Sequence, residues 1–418
     1  MKLKNKKRIA IIGAGISGIS VAKMLNNSHK VSVFETSDRP GGLVQCDKID
    51  GILYHKIGGH VFNSKRSDVL EWFWKFFDKD TEFIKAERNA SIYLNKPIGY
   101  PIENYIYQLD SKQINSIVKD LLEMKLNKKE PENFEEFLKY RFGNTLYELY
   151  FKPYNEKVWR KDLKKIPLSW LKGKLPMPTV EEIIYNNFCK QLESEMVHSS
   201  FYYPLNGGSQ FIVDRLAENL DIHYNCEISN IKYENKVWII DDKFKFDQII
   251  YTGNIKMLPK ILNKDLINNN LCESINELDS HGTTSVLCEI EENPFSWVYL
   301  PDQNYESHRI INTGNFSPNN NNNKSKSCTV EFTGAIDKEN ILANLSKMPY
   351  KVKYISHFNA KYTYPIQNKS TSDLVKSVKS HLEPANFYLL GRFAEWEYYN
   401  MDSAMGAGID LCKEINKN

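Results

Sequence analysis

The sequence predicts an α/β protein: a discontinuous nucleotide-binding unit on a parallel sheet, with a helical domain and an antiparallel β-sheet domain inserted into it. Three observations carry this expectation. Near the N-terminus an apolar run, RIAIIGA (8–14), leads into a glycine-rich turn and then a helical pattern. Two later apolar runs that end in small residues, FDQIIYTG (246–253) and NFYLLGR (386–392), return the chain to the same unit. Between these pieces the texture changes from helical periodicity to strand alternation.

In the first unit Gly13, Gly15 and Gly18 form a GxGxxG. The first glycine permits a tight turn, the second lets backbone approach a pyrophosphate, and the third lets the next helix lie close to its strand. Ile16, Ile19, Ala22 and Leu25 give that helix one apolar face, and its N-terminus is an anion site. The strand KVSVFE (30–35) ends in Glu35, a carboxylate placed to bind ribose hydroxyls. The pattern is that of a Rossmann-like unit for an adenine dinucleotide. TSDRPGG follows, with Arg39, Gly41 and Gly42. This E-x-x-x-R-x-G-G extension resembles the FAD-binding signature of amine oxidase and glutathione reductase type flavoproteins, which makes FAD the expected cofactor. Thr252 and Gly253 close the second returning strand, and Gly391 and Arg392 the third. Arg392 is expected to neutralise the pyrophosphate, and DSAMGAGIDL (402–411) to open a helix whose positive end faces the flavin.

The predicted domains are residues 1–84, 201–256 and 372–418 for FAD binding, 104–200 for a helical substrate domain with a mobile loop, and 85–103 with 257–371 for the antiparallel sheet. Between the first and second pieces of the nucleotide-binding unit the chain looks helical, and VLEWFWKFF (69–77) places Val69, Phe73 and Phe76 on one face. INSIVKDLLEMKL (114–126) does so with Ile114, Ile117, Val118, Leu121 and Leu122. NFEEFLKYRF (133–142) opens with Asn133 and has Glu136 three residues on, a variant capping box. SVLCEIE (285–291), SWVYLP (296–301) and SCTVEFT (327–333) read as strands. The run NNNNN (319–323) reads as a polar surface loop without chemistry.

Composition excludes several classes. Across 418 residues, 26% are charged and 41% hydrophobic, and the formal net charge is +3. That balance suits a soluble globular chain and gives no reason to expect nucleic acid or an anionic membrane as partner. An anionic ligand would need a local cationic cluster. The basic lead MKLKNKKR with its apolar continuation mimics a signal peptide, but the same residues fill the nucleotide-binding template. No apolar run is long enough to span a bilayer. The seven cysteines are scattered without a CxxC, and His29, His55, His198, His223, His281, His308, His357 and His381 lack metal-ligand spacing. These features lead to the expectation of a cytoplasmic protein with free thiols and no metal.

Three more stretches narrow the reading: FKPYNEKVWRKDLKKIP (151–167), YYPLNGGSQFIVDRL (202–216) and GRFAEWEYYNMD (391–402). Together with the Gly58-Gly59-His60 turn, they resemble the UDP-galactopyranose mutase family. The resemblance runs through nearly the whole chain and is strongest at 8–64, 143–167, 202–212 and 386–402. It implies an isomerase that interconverts pyranose and furanose forms of a nucleotide sugar through an adduct between the sugar and N5 of reduced FAD. It further implies roles for named residues. His60, behind Gly59, would lie against the flavin, and Arg309, Tyr364 and Tyr398 would hold the diphosphate. Tyr154 would stack on the nucleobase, and Trp159 would be the mobile-loop tryptophan. The family's loop arginine matches Lys174, which keeps the charge but loses the two-pronged grip, and Asn400 stands where bacterial members carry aspartate. Both departures leave the sugar and the nucleotide open. The expected partner is a nucleotide-diphosphate sugar, and a homo-oligomer is compatible with the sequence. The alternative functions are an FAD-dependent oxidase or desaturase of the protoporphyrinogen or amine oxidase type, and a non-catalytic flavin-fold protein.

Overall fold

A computed structural model describes residues 6–124, 130–168, 178–191, 199–263, 266–322 and 325–417. Its organising element is a five-stranded sheet in the order Phe387–Leu389, Gln248–Tyr251, Arg8–Ile12, Lys30–Phe34, Asp221–His223, with every pair parallel. Ile9 and Ile11 point to one face, Ala10 and Ile12 to the other, and all four are buried. Such a strand must be covered on both sides. On one face lie the helices Ile16–Leu25, Gly208–Ala217 and Met401–Lys417, which share a core with Val33 and Ile250. The other face is closed by the three-stranded meander Ile231–Glu234, Val237–Ile240 and Phe244–Phe246, with Trp238 fully buried.

A seven-stranded sheet runs Val352–Ile366, Asp279–Ile290, Lys326–Thr333, Arg309–Ile311, Trp297–Tyr299, Ala90–Tyr93, Pro97–Gly99. The expectation of a purely antiparallel sheet is corrected at one place, because Trp297–Tyr299 pairs with Ala90–Tyr93 in parallel. The Ala90–Tyr93 and Pro97–Gly99 hairpin comes from an earlier part of the chain and extends the sheet at that edge. Against one end of the large sheet, around Ile92, Trp297 and Tyr299, pack the helices Ser111–Met124, Phe134–Leu146, Lys152–Trp159 and Val180–Cys189. Asn133 caps the second of these by accepting from the Glu136 amide at 3.0 Å.

The apolar stripes are narrower than the sequence suggests. On Ser111–Met124 only Ile117 and Leu121 are buried, while Val118 and Leu122 stay 46% and 61% exposed, so the helix touches the core along a single ridge. The helix expected over 69–77 ends at Phe73, and Phe77, not Phe76, is the buried ring, stacked on Phe73 at 4.6 Å. The asparagine run is not all surface. Asn320 is buried and donates to the Tyr203 hydroxyl (3.0 Å) and the Thr313 carbonyl (2.8 Å). All seven cysteines are free. Among the described residues no helix is long and apolar enough to cross a membrane, and no group of side chains could hold a metal ion.

Asn320 completes a buried polar chain. His55 meets the Tyr203 hydroxyl through Nε2 (2.6 Å) and Cys46 Sγ through Nδ1 (3.4 Å). Burial lowers the His55 pKa from 6.5 to about 3, with the nearby His60 adding to the effect. The unfolded chain therefore takes up a proton below pH 6.5 that the folded chain refuses until about pH 3. Stability rises with pH across that window and is lost as pH falls, by at most ~1.4 kcal/mol per pH unit from this group. In His55→Gln, Tm measured between pH 7 and pH 4.5 should fall less steeply than in the wild type.

Candidate functional site

The GxGxxG turn is shaped by contacts that only glycine permits. Gly13 has φ +107° and donates to the Phe34 carbonyl at 2.8 Å, which ties the first strand's end to the second. A β-carbon on Gly18 would sit 1.9 Å from the Gly13 carbonyl oxygen, so the helix could not come down onto the strand. A β-carbon on Gly15 would meet nothing within 4 Å, because that side opens into a cavity. Gly15 is also the N-cap of Ile16–Leu25 and supplies no side-chain cap, so the first amides of the helix face outward.

The cavity has a volume of about 440 Å³. Gly13, Gly15, Glu35, Gly41, Gly42, His60, Thr252, Gly253, Arg392 and Asn400 all line it. The Glu35 carboxylate accepts from the Ala14 amide (2.7 Å) and the Ser37 amide (2.9 Å) at the end of its strand. Gly18 and Gly391 lie behind the wall; a β-carbon on Gly391 would strike Ser17 Oγ at 2.5 Å. Arg39 does not line the cavity and pairs with Asp47. A bare backbone beside an uncapped helix start, a carboxylate one strand away and an arginine opposite fit the pyrophosphate and ribose of FAD. Tyr399 and Met401, both from the GRFAEWEYYNMD stretch, also line this space.

The Gly58-Gly59-His60 turn forms one wall. Gly58 adopts φ +66°, and a β-carbon on Gly59 would be 2.6 Å from Ile311 Cγ2. The turn is thus pressed against the large sheet, and His60 is delivered to the cavity. Its Nε2 donates to the Leu43 carbonyl at 3.0 Å. Burial, reinforced by the Arg392 charge, lowers its pKa to about 4, so the imidazole is neutral at physiological pH.

Beside this wall lies a second constellation. Arg309 projects from its strand onto Glu331 of the neighbouring strand, and its Nη2 donates to the Tyr364 hydroxyl at 3.3 Å. Tyr364 stacks on Tyr398 (5.5 Å, 17°), and the Arg392 guanidinium lies 4.6 Å over the Tyr398 ring. Arg392 is itself held by the carbonyls of Tyr399 and Thr363. Burial alone would push the Glu331 carboxyl up, but the Arg309 charge and a His308 contact at 3.5 Å outweigh it and hold it at about 2. Burial pushes the Tyr364 phenol well above its ordinary value, so it keeps its proton and can donate.

The sheet therefore brings together Arg309, Tyr364, Tyr398 and Arg392, with His60 on the cavity side. Two expectations fare differently. Trp159 is the last residue of Lys152–Trp159, 8% exposed, packed in the helical core and donating to Asn155 at 3.2 Å. Tyr154 stacks on Tyr150 (5.5 Å) and meets Tyr299 edge-on. Lys174 lies outside the described residues. Glu331 lies outside the predicted site, its one signal in the sequence being a lone acid in the apolar strand CTVEFT, and His308 and His281 belong to the histidines without metal-ligand spacing. His281 proves to stack on Tyr364 at 4.9 Å.

A parallel sheet with a glycine-rich turn, entered three times and topped by a second sheet, defines a dinucleotide-binding flavoprotein. The model of the flavin containing amine oxidoreductase family matches residues 16–416, and the chain belongs to that family, with FAD as its cofactor. Among individual proteins it is similar to the UDP-galactopyranose mutase of Mycoplasma genitalium, at 24% identity over 98% of this chain and 95% of that protein. The dTDP-fucopyranose mutase of Escherichia coli is 29% identical over 41% of this chain and 46% of its own. Among solved structures, reduced UDP-galactopyranose mutase superposes with a TM-score of 0.88 at 20% identity, covering 99% of this chain and 94% of that one, which establishes a common fold.

Gly18→Ala should yield protein with little or no bound flavin, measured as the ratio of 450 nm to 280 nm absorbance. Gly15→Ala, whose methyl enters open space, should fold but bind flavin more weakly. Full flavin content in Gly18→Ala would show that the turn has been misread.

Proposed function

We propose that the protein is an isomerase, a flavin-dependent nucleotide-sugar mutase that interconverts the pyranose and furanose forms of UDP-galactose or a related sugar nucleotide. The observation that carries this is the set of fixed cations and phenols beside the flavin cavity: Arg309, Arg392, Tyr364 and Tyr398. An oxidase acting on an apolar substrate has no use for it. A sugar diphosphate does, because charge develops on the diphosphate as it leaves the anomeric carbon, and preorganised donors stabilise that charge without rearranging. Similarity to mutases acting on UDP-galactopyranose and dTDP-fucopyranose supports the same reading and leaves the sugar and the base undecided.

Bound and reduced, FAD would supply an electron-rich nucleophile for the sugar. The chain's own residues do the rest. Arg309, anchored by Glu331, offers its outer edge to the departing diphosphate and holds it for return. Tyr364 and Tyr398 donate from phenols, and the Tyr364 phenol stays protonated because it is buried. His60, neutral and tied to Leu43, positions the flavin face of the site without adding charge. Arg392 links the two halves, lining the flavin cavity and covering Tyr398.

Dithionite-reduced protein, incubated without oxygen with UDP-galactofuranose and related furanoses, should form the pyranose with no net oxidation. Oxidised protein should not. A product that requires oxygen and no prior reduction would remove the mutase reading. His60→Ala should keep its flavin and lose most of its activity. Arg309→Ala should lose on the order of 10²-fold in nucleotide affinity, the cost of deleting one partner of a buried charged contact. Neutral His60 also predicts a kcat that is flat between pH 6 and 8 with respect to this group; an inflection there that His60→Ala abolishes would contradict its assignment.

A further inference from the structure

Arg160 ends the helix Lys152–Trp159 as its C-cap, in the left-handed conformation with φ 47° and ψ 37°. This position favours glycine or asparagine, because a β-carbon crowds the backbone there. Lys190 ends the helix Val180–Cys189 in the same conformation, and an arginine so placed is uncommon. Its side chain is exposed, and among the described residues no carboxylate pairs with it. The neighbouring cations are engaged. Lys157 donates to the carbonyls of Leu300 (2.7 Å), Asp302 (2.5 Å) and Ser307 (3.3 Å), and Lys161 pairs with Asp279.

The guanidinium lies beside the end of the strand that carries Glu331. A β-carbon built on Gly334 would be 3.4 Å from Arg160 Nη1, and Gly334 directly follows the strand that carries Glu331. Gly334 in turn donates to the carbonyl of Gly282, the residue after His281, at 2.8 Å, and burial together with the Arg160 charge lowers the His281 pKa. The His281 ring stacks on Tyr364, Tyr364 on Tyr398, and Arg392 covers Tyr398. A row of three rings thus runs outward from the flavin cavity, with Arg392 at its inner end, Arg309 bonded to its middle member and Arg160 at its outer end.

We propose that Arg160 is a second diphosphate-binding arginine, which engages the nucleoside-side phosphate at the outer end of the ring row while Arg309 holds the sugar-side phosphate. This rests on the nucleotide-sugar reading above. It assigns the outer cation to a residue of the helix end, and it accounts for a strained arginine where glycine would be easier.

The test exploits that strain. Arg160→Gly relieves the backbone, so Tm and flavin content should equal or exceed those of the wild type. UDP or dTDP, titrated calorimetrically into the flavin-loaded protein, should nevertheless bind about tenfold more weakly, with a shallower dependence on salt. KM for the sugar nucleotide should rise in step while kcat at saturation changes little. Arg160→Lys should recover part of the affinity. Unchanged affinity and salt dependence in Arg160→Gly would overturn the proposal, as would a loss of Tm or flavin that accompanies the weaker binding. Arg309→Ala distinguishes the two levels. If it loses UDP binding while Arg160→Gly does not, only the role of Arg160 fails; if the wild type binds neither nucleotide, both readings fail.

Discussion

The structure depends on the contact between Gly13 and Gly18. With no β-carbon on Gly18, the helix Ile16–Leu25 settles against the end of its strand, and its uncapped N-terminus comes to face the cavity. The same spot receives the chain a second time. Thr252 Oγ1 donates to the carbonyls of Ile12 (2.9 Å) and Gly13 (3.1 Å), which locks the Gln248–Tyr251 strand beside the turn. The third return, through Gly391, is sized by Ser17 on that same helix. One close approach thereby sets the spacing of three chain segments that are remote in sequence, and everything placed on their ends inherits its position from it.

The second determinant is an ion pair placed where water is scarce. Glu331 is 1% exposed and Arg309 projects onto it from the adjacent strand. A buried pair of this kind is weak as a source of stability, because desolvation consumes much of its attraction. Its value lies in geometry. The carboxylate takes the inner edge of the guanidinium and leaves the outer edge for the phenol row, and Gly58 lets the turn bearing His60 pass directly over the same carboxylate, 3.3 Å from a notional β-carbon. The flavin-facing wall and the cationic row thus share a single buried anion, so displacing either would be felt by the other.

Much of this was legible in the sequence, for identifiable reasons. The GxGxxG turn, Glu35 and the strands ending at Thr252 and Gly391 were readable because backbone sterics tie particular residue types to particular places, and those rules act over short stretches. Arg309, Tyr364 and Tyr398 were reached only through resemblance; no local pattern joins residues so far apart. Glu331 and His281 escaped because their meaning lies in cross-strand register, with Arg309 opposite Glu331 and His281 opposite Tyr364, which no periodicity encodes. The helical stripes were overread at Val118 and Leu122 because periodicity tells which residues share a face, not how wide a face the core will accept. Trp159 is known from the sequence only by likeness, and its place as the last helical residue before the chain turns at Arg160 is set by packing.

A fold shared with oxidases does not choose the chemistry; the side chains set upon it do. In this family's frame the sheet above the flavin can be lined with apolar groups or with donors. Here the lining includes two stacked phenols, with Arg392 over the face of Tyr398 and Arg309 at the hydroxyl of Tyr364. Stacked tyrosines also solve an electrostatic difficulty. Arginines crowded into one pocket repel each other when it is empty, and aromatic faces placed between them screen that repulsion through their negative quadrupoles while keeping hydroxyls free to donate. Arg392 over Tyr398 is the clearest instance, with Tyr364 stacked behind it and Arg309 at its hydroxyl. The row is therefore a means of holding positive charge ready for the anionic substrate that the proposed function requires.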